Sequence, residues 1–105
     1  MSADEPVNPA RGEAAIEVLG RKRRLRPTFA ALVAAEEDLG PLFALVERAS
    51  EGRLKLGEMT SLFWHCLADR ADLTRDDVGE AIAAQGLAGS APALRAVLKQ
   101  VLQGA

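Results

Sequence analysis

The sequence predicts an α+β domain that is mainly α, with an N-terminal two-stranded β-hairpin packed on four to five short amphipathic helices. Three observations predict it. Residues 13–19 alternate polar and apolar side chains and run into Gly20, the pattern of a half-buried strand reaching a turn. Two later segments repeat apolar residues at i, i+3, i+4, i+7 and i+8: Met59, Leu62, Phe63, Cys66 and Leu67, then Leu94, Val97, Leu98, Val101 and Leu102. That spacing is the stripe of an amphipathic helix. Finally, 49% of the 105 residues are apolar but only 4% are aromatic. A core is available, and it must be built from aliphatic side chains carried on helices.

Taken in order, residues 1–7 read as a disordered tail and 8–105 as a single domain. In the hairpin, about 13–27, Ala14, Ile16 and Val18 share one face while Glu13 and Glu17 share the other. Gly20-Arg21 fits a two-residue type II′ turn with glycine at the first central position. That register sets Ile16 opposite Leu25 and Glu17 opposite Arg24, two pairs worth about 0.2–1 kcal/mol each. Thr28 is the expected N-cap of a helix over 29–39, closed by Gly40.

Pro41 suits the first position of a second helix over 41–50, whose apolar face is Leu42, Phe43, Leu45, Val46 and Ala49. A third helix is expected over 57–69. Thr74 with Asp77 resembles a capping box and opens a helix over 75–85 that turns Val78, Ala81 and Ile82 inward. Gly86 and Gly89 punctuate the next loop. Ser90 is then an N-cap, with Pro92 in the first turn of a last helix over 91–103. All connections are short, so these helices pack as neighbours.

Charge and cysteine usage narrow the function. The net charge is −2, from 13 basic and 15 acidic residues, which gives no global pull toward nucleic acid or anionic lipid. Cys66 is the only cysteine, so no intramolecular disulfide can form, in agreement with a reducing compartment. No leader pattern opens the chain, and no apolar run approaches the roughly 18 residues of a spanning helix. A protein that stays in the cytoplasm, away from membranes, is the expectation.

The motifs of catalysis do not assemble. His65 and Cys66 are adjacent, hence about 100° apart around a helix, and Cys66 belongs to the buried stripe. One histidine and one cysteine do not complete a four-ligand metal site. Asp69, Asp72, Asp76 and Asp77 lack the spacing and the closing glutamate of a calcium loop, and suit a helix start instead. Neither phosphate-binding glycine pattern occurs. The sequence predicts no enzymatic activity, no cofactor and no metal.

Two features invite a binding role. The run Arg21-Lys22-Arg23-Arg24-Leu25-Arg26 could contact nucleic acid, but no aromatic residues interleave with it to stack on bases. An edge strand whose cations discourage strand addition, or that meets an acidic partner, is favoured; recruitment of another copy or a partner strand by β-augmentation is a third possibility. Arg23 and Arg24 are its candidate contact residues. Trp64 sits beside the apolar stripe of the third helix, either as part of a wide core face or as an anchor for a partner.

The ordered set of these elements resembles the small tail assembly chaperones of gene transfer agents and tailed phages. The resemblance is carried by Asn8, Pro9, Arg11, Gly12 and Glu13, by Arg24, Leu25 and Thr28, and by Ala31, Leu32, Glu36, Leu39 and Gly40. It continues more loosely through Gly52-Arg53, Asp76-Asp77-Val78 and Gly86-Leu87-Ala88-Gly89. The resemblance implies a partner protein that binds the coiled tape measure protein, and in turn tail tube subunits, during tail assembly. It also implies homo-oligomers and absence from the finished particle. Trp64, Leu67, Leu98 and Leu102 are the candidate client or self contacts. A small nucleic-acid-binding regulator and a minor structural tail component are the alternatives.

Overall fold

In a computed structural model that describes residues 14–103, a two-stranded antiparallel sheet is followed by four helices. The elements are β1 (Ala14–Val18), β2 (Arg21–Leu25), α1 (Phe29–Leu39), α2 (Leu42–Ser50), α3 (Leu56–Cys66) and α4 (Arg75–Gln103). The tail expected over 1–7 and the polar lead-in 8–13 lie outside the described residues.

The hairpin faces follow the alternation, since Ile16, Val18 and Leu25 are all buried. Its register does not follow the expectation. Ala14 pairs with Leu25, Ile16 with Arg23, Glu17 with Lys22 and Val18 with Arg21. The turn is therefore Leu19-Gly20, one residue earlier than expected, with both central φ angles positive (53° and 77°). This is the type I′ geometry, which places glycine at the second central position. The pairs Ile16–Leu25 and Glu17–Arg24 are replaced, although Glu17 still faces a cation.

Arg23 faces inward in either register, and in the observed one it sits directly opposite Ile16. It lies on the apolar face, only 2% exposed. Its Nε donates to Val18 O at 3.1 Å, and its Nη1 donates to both carboxylate oxygens of Asp72 at 3.0 and 3.1 Å. Burying a guanidinium is tolerable only when its donors are used in this way.

Both edges of the sheet are occupied from downstream. An isolated bridge joins Leu25 to Leu67, flanked by Arg26 N–H donating to Cys66 O at 2.6 Å and Ala68 N–H donating to Arg24 O at 3.0 Å. On the other side, the Gln85 side chain donates to Glu17 O at 2.7 Å. The bridge also explains why α3, expected over 57–69, stops at Cys66, where the chain turns extended at Leu67.

Local signals place most helix ends. Thr28 Oγ1 accepts from Ala31 N–H, and Gly40, at φ 86°, donates its N–H to Glu36 O. Thr74 and Asp77 exchange side-chain-to-backbone hydrogen bonds at 3.2 and 2.9 Å. The loop expected at 86–90 is absent. Helix resumes immediately after Gly86, whose φ 80° and ψ 158° produce a kink inside α4. Ser90 is accordingly a buried helical residue rather than a cap, and Pro92 lies within the second limb. The helix expected over 91–103 thus gains a turn at its start. The core gathers Val18, Leu25, Leu45, Leu62, Phe63, Val78, Ile82 and Val97.

Candidate partner-binding surface

Two of the sequence-predicted residues are committed inside the fold. Arg23 is held by Val18 and Asp72, and Leu67, 7% exposed, is bridged to Leu25. Arg24 is half-buried, with its carbonyl holding Ala68. Trp64 is half-buried against the core, with the Arg70 guanidinium 5.1 Å and that of Arg75 6.0 Å from its ring centroid. Its exposed face is thus partly covered by cations.

Leu98 and Leu102 differ from these. Both lie on the second limb of α4, where Leu98 is half-buried and Leu102 is 53% exposed. That limb packs Ser90, Ala93 and Val97 into the domain. Beside them, Leu87, Ala91, Leu94, Leu98 and Val101 form a second stripe, spaced by four, three, four and three residues. Leu87 is exposed and the other four are half-buried, with Leu94, Leu98 and Val101 packed in part against the domain's own core. Leu102 borders the stripe. The kink at Gly86 aims this limb away from the direction of 75–85 while keeping it helical from Leu87 onward.

A 4-3-4-3 stripe is the seam by which one helix meets another in a coiled coil. From Leu87 to Leu102 it runs about 22 Å, at 1.5 Å per residue. Leu87 is the member that sequence reasoning missed. Its spacing to Ala91 is visible in the chain, but reading 86–90 as a loop breaks the stripe. Further apolar exposure occurs on α1 at Phe29 (84%) and Val33, and on α2 at Phe43 (66%).

The remaining polar chemistry joins elements to one another. Asp38 Oδ2 accepts from Arg75 Nη1 at 3.0 Å and lies 3.0 Å from His65 Nε2. The hydrogen bond with His65, then that with Arg75, holds the Asp38 carboxyl below its ordinary range. Glu58 is lowered by Arg48 and by the Lys55 backbone N–H, and Asp72 by Arg23. The His65 ring thus faces Asp38, while burial pushes the Cys66 thiol up to about 12. A groove of about 480 Å³ lies between the start of α1 and the end of α3, lined by Arg26, Thr28, Ala31, His65 and Arg70 among others. Among the described residues no helix is long and apolar enough to cross a membrane.

One protein family matches the chain over residues 11–104, described as "Phage tail tube protein, GTA-gp10". The chain belongs to this family. No curated protein and no solved structure matches it. As a GTA-gp10 family member, it is a gene transfer agent or phage tail-related protein. Its helical seam is therefore a surface to be explained within tail building.

Proposed function

We propose that this GTA-gp10 family protein is a tail assembly chaperone that binds a helical stretch of the tape measure protein before the tail is complete. The observation that carries the reading is the half-exposed 4-3-4-3 stripe on α4, Leu87, Ala91, Leu94, Leu98 and Val101. A long helical client aggregates through its own apolar stripe unless a complementary one covers it reversibly. The role assigns no bond-making step to the chain and places it in the cytoplasm of the host cell. Burial of Arg23 and the use of its donors within the fold weigh against the basic run as a nucleic-acid patch.

The experiment is co-expression with the tape measure protein of the same tail, which should raise that protein's soluble yield. An unchanged yield would count against the role. The family description favours a second reading, a minor component of the tail tube itself. Mass spectrometry of purified particles separates the two, because a chaperone is missing from them and a component is present.

A further inference from the structure

Charge is distributed unevenly around the α4 stripe. Glu80 is the last acidic residue of the chain, and beyond it the only charged side chains are Arg95 and Lys99. At about 100° per residue, both fall on the flank of the stripe that Leu102 borders. The opposite flank, Ser90 and Val97, is buried in the domain. Arg95 and Lys99 are exposed. Cations near a helix C-terminus also suit its dipole, but the dipole does not require them on one flank.

We infer that the α4 stripe takes a partner helix whose own apolar seam is flanked by glutamate or aspartate along the side meeting Arg95 and Lys99. Such flanking charges choose partners and orientation in helix pairs. A second copy pairing through the same limb brings from that limb Arg95 and Lys99 again, and like charges there are unfavourable. The occupant is therefore an acidic amphipathic helix from a different protein, about four turns long to match the part of the seam left open from Leu87 to Leu102. This inference rests on the chaperone reading and gives its client a chemistry.

The test uses the full chain and two labelled three-heptad peptides with identical leucine seams, one flanked by glutamate and the other by lysine. Fluorescence anisotropy at low salt should show the acidic peptide binding roughly tenfold more tightly, a difference that fades as salt is raised. The double variant R95E/K99E should reverse the preference. Leu102→Asp, at an exposed position, should weaken both peptides. Leu98→Asp, at a half-buried position, should weaken them as well; if it unfolds the protein, the Leu102 variant carries that arm.

Equal affinity for both peptides, or a preference unchanged in R95E/K99E, overturns the inference. So does a dimer in sedimentation that Leu102→Asp dissolves while neither peptide binds, because the occupant is then a second copy. Peptide selectivity without any gain in tape measure solubility removes the chaperone reading and leaves the surface standing. The converse result moves the client elsewhere on the molecule.

Discussion

Gly86 and Gly89 lie three residues apart in one helix, and adding a methyl group to each should move stability in opposite directions. Gly86 has φ 80° and ψ 158°, a region essentially closed to side-chain-bearing residues, where occupancy costs on the order of 1–3 kcal/mol. Space is not the obstacle, since a Cβ at Gly86 meets nothing within 4 Å. Gly86→Ala therefore carries a pure backbone penalty. The chain can escape it only by straightening α4, which lifts Ala93 and Val97 from the core.

A loss of about 2 kcal/mol corresponds to a fall in Tm of roughly 8–16 °C for a domain of this size. Gly89 is helical, and its added Cβ meets Gln85 Cβ at 3.4 Å, an ordinary contact. Gly89→Ala should therefore gain up to about 1 kcal/mol from helix propensity. Urea unfolding followed by circular dichroism measures both variants. A Gly86→Ala protein as stable as the parent would show that the kink is not imposed by that residue.

Three other outcomes are expected. Leu19 is exposed with φ 53°, so Leu19→Asn, which suits the first position of a type I′ turn, should raise stability by about 1 kcal/mol in the same assay. Asp38, Glu58 and Asp72 are all held below their ordinary values of 3.8, 4.5 and 3.8. Depressed carboxyls stabilise fully above those values and lose the contribution as pH falls through the lowered ones. The urea midpoint should hold from neutrality to about pH 5 and decline below about pH 4.5, with a shallower decline in D38N/E58Q/D72N. The Cys66 thiol, buried and raised to about 12, should resist a thiol reagent at pH 8 until the chain unfolds.

Hairpin faces were legible in the sequence, because the two registers differ by two residues in pairing and leave the same side chains inward. The turn itself was not. It puts Leu19 at a positive φ, a conformation that a leucine rarely adopts and that local patterning therefore does not suggest. Helix starts at Thr28 and Thr74 could be read from short-range hydrogen-bonding chemistry. The end of α3 could not, because it answers to the bridge between Leu25 and Leu67. Similarly, Leu98 and Leu102 stood out by spacing, while the seam's extension to Leu87 was concealed behind glycines that usually mark a loop.

Among the described residues, the hydrogen bonds that clasp the hairpin from outside come from far downstream. Cys66, Leu67, Ala68, Asp72 and Gln85 supply those contacts, so about sixty further residues must leave the ribosome after Leu25 before the last is available. At a synthesis rate of roughly 5–20 residues per second that interval lasts several seconds, and a lone two-stranded ribbon is barely stable in water. Two such ribbons meeting edge to edge would set the cations between Arg21 and Arg26 against one another, a contact that like charge disfavours. A run of charge that is partly hidden in the finished molecule is thus at its most open during birth.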